Sequence, residues 1–160
     1  GAHFNPIVSL VFWLKRMISS KDFIAYVVMQ MCGAIFGCVV ANIIFKLPPV
    51  TISTLVRHDI SQFLSEILAT FGLILVIFIG SEVSKQNIPV LVGSYIASAY
   101  WFTSSTSFAN PAVTVARQFS DTFTGIAPSG VPTFIIAQIF GAILGFVVIQ
   151  WLTNKVIKSD

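Results

Sequence analysis

Four apolar runs, each long enough to cross a lipid bilayer, constrain this 160-residue chain more than any other feature. They cover residues 23–45, 60–80, 88 to about 108, and 131–152. An α-helix of about 20 residues rises about 30 Å, which matches the hydrocarbon core of a membrane. Helices of a soluble protein would need wide polar faces to meet water, whereas these runs carry isolated polar residues. The sequence therefore predicts four transmembrane helices.

Composition agrees with a membrane protein and disfavours two other classes. Charged residues make up 9% of the chain, against about a quarter in soluble domains. The net charge of +3 reflects nine basic and six acidic residues, and the basic ones are spread along loops and tails, so no nucleic-acid surface is predicted. Cys32 and Cys38 project from different faces of one predicted helix, which is typical of core residues. The sequence predicts no metal site and no cofactor.

Two landmarks recur along the chain in the same order, which indicates an internal repeat. Residues 30–40 (QMCGAIFGCVV) are echoed by residues 138–148 (QIFGAILGFVV). Residues 4–6 (FNP) are echoed by residues 109–111 (ANP) at nearly the same offset. Two matched landmarks in one order make an accidental repeat improbable.

The two copies differ in length. The first, residues 1–58, holds a half-helix at 5–14, a span at 23–45 and an outer loop. The second, residues 59–160, holds spans at 60–80, 88–108 and 131–152, with a half-helix at 110–119. We therefore expect one incomplete domain over 1–160, preceded in the whole protein by roughly fifty residues with two more helices. Three spans per half would give the halves opposite topology, which is an inverted repeat.

Each half-helix begins with Asn-Pro and is too short to cross a membrane. Asn is a favoured N-cap, and Pro at the first helical position loses no needed donor. Two such half-helices in opposite orientation would meet at the bilayer midplane. Their non-helical approach segments, residues 1–4 and 103–109, would carry backbone carbonyls that lipid does not tolerate. They are therefore expected to line a water-filled path.

That path would suit neutral solutes that form hydrogen bonds. Two helix N-termini at one point present free N–H groups and partial positive charge, which opposes cations. The amides of Asn5 and Asn110 would add donors, while exposed carbonyls would accept. A single Asn-Pro indicates a helix start and no more. The duplicated pair is what favours a pore.

Segments 1–6 (GAHFNP) and 108–112 (FANPA) resemble the paired Asn-Pro-Ala loops of the major intrinsic proteins, the aquaporins and aquaglyceroporins. The resemblance covers the whole chain. It implies an all-α membrane protein with an aquaporin-like inverted repeat and two re-entrant half-helices, whose first two transmembrane helices are absent from this chain. It also implies a homotetramer embedded in lipid, with one pore per subunit, crossing the plasma (inner) membrane several times.

The resemblance assigns roles to individual residues. The pore motifs are Asn5, Pro6 and Ile7 with Asn110, Pro111 and Ala112, and the filter positions are Tyr100, Ser107 and Val113. Glu66 lies inside a predicted span, which by default marks an intramembrane site. The family implies that it accepts hydrogen bonds from the backbone of a re-entrant loop, and that the carbonyl of His3 faces the pore.

Two positions depart from the family pattern. Ile7 replaces the Ala of the first motif, where a bulkier residue could reshape the midplane or have little effect. Val113 stands where most members carry the filter arginine, so we expect a wider and less polar constriction. Arg117, one turn later, is expected at the outer mouth; the alternative is a surface arginine that snorkels or pairs with Asp121.

The sequence thus predicts a passive channel for water and small uncharged solutes. Its resemblance to a bacterial branch of the family suggests glycerol-like solutes and metalloid hydroxides. The alternative is a structural or adhesion membrane protein that has the fold without significant flux. An enzyme is disfavoured, because no predicted span combines a nucleophile, a base and an orienting group.

Overall fold

The computed structural model describes residues 1–157, and every element of regular structure in that range is helical. The predicted all-α fold class is thereby confirmed. The α-helices are α1 (Pro6–Leu14), α2 (Ser20–Ile44), α3 (Ile60–Val83), α4 (Ile88–Phe102), α5 (Pro111–Ala116) and α6 (Val131–Ile157). Short 3-10 turns lie at Lys85–Asn87, Arg117–Phe119 and Pro128–Gly130. Residues 158–160 of the predicted second repeat lie outside the described residues.

The two half-helices begin in the same way. The side-chain oxygen of Asn5 accepts a hydrogen bond from the backbone N–H of Ile7 (2.9 Å), and that of Asn110 accepts from Ala112 (3.0 Å). In each case a proline follows the cap as the first helical residue. α1 has nine residues, whereas α5 has six and continues as the 3-10 turn Arg117–Phe119. Neither is long enough to cross a bilayer.

Within the described residues, three helical segments are long and apolar enough to span a membrane: Ser20–Ile44, Ile60–Val83 and Pro128–Asn154. The chain is therefore part of an integral membrane protein. Their outward faces carry large apolar side chains, such as Phe36 (71% exposed) and Val147 (56% exposed). Such surfaces are suited to lipid or to other apolar helices.

The predicted span at 88–108 differs from the structure. α4 has 15 residues and ends at Phe102, so it reaches about 22 Å. Thr103 adopts extended backbone (φ −113°, ψ 140°), and its hydroxyl donates to the carbonyl of Ala99 (2.7 Å). The residues that follow bond to α3 instead of continuing the helix. The sequence prediction made this helix too long because residues 103–108 are also uncharged. In the structure, tertiary contacts hold the backbone of that segment in a non-helical conformation.

α3 and α6 form the most extensive helix pair of the described chain. Gly141 of α6 approaches the Ile67 carbonyl and Thr70, and Gly145 approaches Ile74. Small residues of this kind allow close backbone contact between membrane helices. The repeated glycines were visible in the sequence, and the structure gives them this packing role in the second copy.

Gly141→Ala is expected to destabilise the α3–α6 pair. An added Cβ would meet the Ile67 carbonyl oxygen, a backbone atom that cannot move aside as a side chain can. Overpacking costs about 1–3 kcal/mol, so thermal unfolding in detergent should begin at lower temperature. Gly93→Ala on α4 is the matched control, because no described atom lies within 4 Å of that Cβ. Equal unfolding temperatures for the two variants would contradict this packing role.

Residues 45–59, here called the outer segment, connect the two copies. The backbone N–H groups of Thr51 and Ser53 donate to the carbonyls of Phe119 (3.1 Å) and Gln118 (2.8 Å). The carbonyl of Leu55 accepts from Ala127 (2.7 Å). Backbone hydrogen bonds therefore hold the outer segment against the C-terminal end of the second half-helix.

Candidate functional site

The two Asn-Pro motifs contact each other reciprocally. Asn5 Nδ2 donates to the carbonyl of Ala109 (2.7 Å), and Asn110 Nδ2 donates to the carbonyl of Phe4 (2.9 Å). The side-chain oxygen of each asparagine caps its own half-helix, while the NH2 group of the same side chain bonds to the other copy. A carboxamide has two N–H donors, and this contact uses one of them. The second N–H of each amide is available to a further acceptor.

The residues that follow the two asparagines are buried. Ile7 and Ala112 are each 2% exposed, and Pro6 and Pro111 are also buried. Ile7 packs in the main apolar cluster with Val11 and neighbouring residues of α3. The extra bulk of Ile7 is therefore accommodated in the protein core.

Both approach segments have an unusual backbone. Non-glycine residues have positive φ at Ala2 (62°) and Phe4 (54°), and again at Thr106 (62°), Ser107 (48°) and Ala109 (45°). Such conformations are uncommon for residues with a Cβ and cost of order 1–3 kcal/mol each. Ala2 corresponds to Ser107 and Phe4 to Ala109 when the two asparagines are aligned, so the unusual backbone recurs in both copies. Such conformations persist where surrounding contacts hold them.

Glu66 provides that support for the second approach segment. Its side chain is fully buried, and Oε1 accepts from the Ser105 hydroxyl (2.6 Å) and the Phe108 N–H (2.8 Å). Oε2 accepts from the Ala109 N–H (2.8 Å) and Gln138 Nε2 (2.7 Å). Both carboxylate oxygens are thus used to position the backbone next to the second Asn-Pro.

One hydroxyl residue on each half-helix, Ser9 and Thr114, was not singled out from the sequence, although the glutamines that contact them were. Gln138 Nε2 donates to the hydroxyl of Thr114 (2.9 Å), and Gln30 Nε2 donates to that of Ser9 (3.1 Å). Ser9 and Thr114 each stand four residues after the motif asparagine. That common spacing is the signal that could have identified them.

His3 lies beside the first half-helix. Its Nδ1 is 3.0 Å from the Ser9 hydroxyl, and its ring stacks between Phe12 (4.3 Å between centroids) and Tyr26 (4.4 Å). The ring is thus held by aromatic packing, and its backbone belongs to the first approach segment.

Two of the predicted filter residues, Ser107 and Val113, flank the second motif in sequence. Ser107 is 7% exposed, and its hydroxyl has no hydrogen-bond partner in the described part of the chain; the same holds for the Thr106 hydroxyl. Val113 is half-buried and packs against Phe108 and its apolar neighbours. Tyr100, on α4, is half-buried and lies within electrostatic reach of two arginines.

The first of these arginines is Arg117. Its guanidinium lies 4.3 Å from the centre of the Phe108 ring, a cation–π contact, and its Nη1 is buried with no hydrogen-bond partner among residues 1–157. Asp121, the partner suggested by the sequence, accepts hydrogen bonds from the backbone of Thr54 (2.9 Å) and the hydroxyl of Ser53 (3.3 Å). Arg117 therefore packs inward against the second approach segment.

The second arginine, Arg57 of the outer segment, was missed by sequence reasoning as a site residue. It is 5% exposed and lies 5.4 Å from the centre of the Phe108 ring. Burial lowers the pKa of its guanidinium from the ordinary value, while Glu66 and Tyr100 act in the opposite direction. No local pattern distinguishes this arginine from a solvated loop residue, because its partners lie far away in sequence.

The described residues of this region do not form a cluster of metal-ligating side chains. Within the described residues, no group of three or more His, Cys, Asp or Glu side chains could hold a metal ion. The polar groups of this region are side-chain amides, hydroxyls, guanidinium groups, backbone carbonyls and the Glu66 carboxylate.

Comparisons with known proteins match this sequence to one family. The sequence model described as Major intrinsic protein matches residues 1–103. The chain is 49% identical over 152 residues to the aquaglyceroporin AqpS of Rhizobium meliloti, a match that covers 95% of this chain and 65% of that protein. It is 27% identical over 163 residues to the glycerol uptake facilitator protein of Bacillus subtilis, covering 91% of this chain and 60% of that protein.

A third relative is more distant. The chain is 23% identical over 171 residues to the aquaporin AqpM of Methanothermobacter marburgensis, covering 97% of this chain and 69% of that protein. The chain therefore spans about two-thirds of the length of these relatives. No solved structure matches it.

Proposed function

Because this chain belongs to the major intrinsic protein family, we propose that the protein is a passive membrane channel for water and small uncharged solutes of the glycerol type. The observation that carries the proposal is the reciprocal contact of the two motif amides, Asn5 with Ala109 and Asn110 with Phe4. Relatives named aquaglyceroporin and glycerol uptake facilitator support the same solute class.

The chemistry of the paired motifs favours neutral solutes. Each amide keeps one N–H that can donate to a passing water or hydroxyl oxygen. Two half-helix N-termini add positive potential at the same place, which disfavours cations. A solute with both donors and acceptors could exchange its water partners for these groups at small cost. Water and polyols have this property, and simple cations do not.

Unpartnered polar atoms in the second approach segment support a polar path there. The hydroxyls of Thr106 and Ser107 and Nη1 of Arg117 are buried without a partner in the described chain. Buried polar groups in proteins are nearly always hydrogen-bonded, so each such exception needs an explanation. Contact with water or solute in a pore provides one.

The composition of the constriction favours solutes larger than water. Val113 carries no charge at the position after the second motif, and Tyr100 and Ser107 contribute a ring and a hydroxyl. We propose glycerol-like polyols as the main class and neutral metalloid hydroxides, which also present several hydroxyl groups, as a further one. We assign no catalytic role to the chain.

The protein is further proposed to work as a homotetramer in the plasma (inner) membrane, with one pore in each subunit. Large exposed side chains on α2, such as Ile24 (61% exposed) and Phe36 (71% exposed), provide apolar surface for lipid or for neighbouring helices and subunits. Crosslinking in native membranes would test the assembly; a monomer alone would contradict it.

Proteoliposomes test the channel function directly. The protein, prepared at its full natural length, should raise water, glycerol and arsenous acid permeability above that of empty liposomes in light-scattering assays. Flux no greater than in empty liposomes would refute the channel and favour the alternative, a structural or adhesion membrane protein with this fold.

Val113→Arg is expected to restrict the larger solute selectively. A guanidinium at this position would narrow the path, so we expect glycerol permeability to fall about tenfold, equivalent to about 1.4 kcal/mol in the barrier, and water permeability to fall less. Val83→Arg is the control, because Val83 is 80% exposed at the end of α3. Equal losses of water and glycerol permeability would argue against a place for Val113 in the constriction.

A further inference from the structure

We propose that Arg57 is a specificity-determining residue of the pore, supplying from the outer segment the guanidinium that position 113 lacks. The inference rests on the proposed channel function and goes beyond it, because it names the group that selects among solutes. A residue of the outer segment, distant in sequence from the second motif, would then contribute to the selection among solutes.

Arg57 is fixed in place by three backbone carbonyls. Its Nε donates to Gly125 (2.8 Å), Nη2 to Phe123 (2.8 Å) and Nη1 to Ser105 (3.2 Å). The first two belong to the segment before α6 and the third to the second approach segment. Arginine is rarely buried unless its donors are satisfied, and here three carbonyls accept hydrogen bonds from it. The surrounding backbone therefore holds this side chain in one defined position.

The guanidinium lies against the aromatic ring that precedes the second Ala-Asn-Pro. Val113 packs against the apolar cluster of Phe108, Ile126 and Phe134, and Arg57 lies 5.4 Å from the centre of the Phe108 ring. Arg117 lies over the same ring, and the two guanidinium groups are close enough to repel each other. Two guanidinium groups therefore lie at the second approach segment, which the Glu66 carboxylate also contacts, although residue 113 is valine.

Arg57 retains capacity to bind a solute. A guanidinium has five N–H donors, and three of them are used by the carbonyls. Nη1 already contacts Ser105 of the approach segment that holds the unpartnered hydroxyls of Thr106 and Ser107, and it keeps one further N–H. Such a set can hold a hydroxyl-rich neutral solute by donating to its oxygens and accepting from its O–H groups. It would repel cations.

A purely structural role for Arg57 makes a different prediction. If the side chain only fastens the outer segment, its loss should lower the unfolding temperature and reduce the permeability of every solute together. A specificity-determining role instead changes the ratio between solutes. The test therefore compares ratios, with thermal unfolding measured in parallel.

Arg57→Met, Arg57→Lys and the control Arg16→Met should be compared in proteoliposomes of the full-length protein. Arg57→Met removes the charge and the donors that would hold a hydroxyl-rich solute, so we expect the ratio of xylitol to water permeability to fall about tenfold. Arg57→Lys keeps the charge and should lower it less. Arg16 is exposed, and its variant should match the wild type. Unchanged ratios in both Arg57 variants would overturn the inference, whereas a wild-type protein without flux would overturn the channel function instead.

A double variant provides a second test, because its permeability is compared with that of another variant and not with the wild type alone. Val113→Arg alone would bring another guanidinium to Phe108 beside Arg57, so the two groups would compete for the same space. Adding Arg57→Met should then restore water permeability relative to Val113→Arg alone. Strictly additive losses in the double variant would contradict a shared site.

Discussion

Replacing Glu66 by glutamine is expected to abolish solute flux and to lower the stability of the protein by about 2–4 kcal/mol. The carboxylate accepts four hydrogen bonds, two on each oxygen. Glutamine has a single acceptor oxygen, so in either orientation its NH2 group would face a backbone N–H, that of Phe108 or of Ala109. The second approach segment, with its left-handed residues, would lose the contacts that hold it.

Two measurements check this result. Thermal unfolding in detergent should begin at lower temperature, and proteoliposome permeability to water and glycerol should fall towards that of empty liposomes at equal protein content. Glu82→Gln makes the same chemical change at an exposed position of α3 and should behave as the wild type. A fully active Glu66→Gln protein would show that the approach segment does not depend on this carboxylate.

Asn110→Asp is expected to lower neutral-solute flux and to admit cations. Aspartate can still cap α5 through its oxygen, as Asn110 does for Ala112, so the half-helix should begin normally. It cannot donate to the carbonyl of Phe4, which would instead face a second acceptor at the present 2.9 Å contact. A negative charge would also replace the dipolar amide between the two half-helices, which removes part of the barrier to cations.

Loss of this single contact should lower stability by about 1–3 kcal/mol, and glycerol permeability should decrease by about tenfold or more. A pH-sensitive dye inside the proteoliposomes would report cation or proton leakage. Asn87→Asp is the matched control, since Asn87 is exposed and bonds locally to Ser84. Wild-type permeability without leakage would count against the role proposed for the paired amides.

Several features of the fold could be predicted because their causes are local. The apolar runs located the long helices α2, α3 and α6, since the hydrophobic effect acts on composition within about twenty residues. Asn-Pro located the starts of α1 and α5, because the cap and the first turn are adjacent in sequence.

The same local reasoning failed where the chain remains apolar but is held by distant groups. Composition alone placed the end of the third apolar run near Phe108, whereas α4 ends at Phe102. The backbone after it is drawn towards Glu66, which lies 42 and 43 positions from Phe108 and Ala109. A hydrogen bond of that separation leaves no signature in local composition.

The features of the site also separate into those with local causes and those with long-range causes. The sequence by itself determined the three long apolar helices and the paired Asn-Pro helix starts, because helix propensity, capping and hydrophobicity depend on neighbouring residues. Only the tertiary structure decided that each motif amide bonds to the other copy, that Ile7 packs into the core, and that Arg57 reaches Ser105. Those contacts join residues far apart in the chain, and their geometry exists only once the two copies have folded against each other.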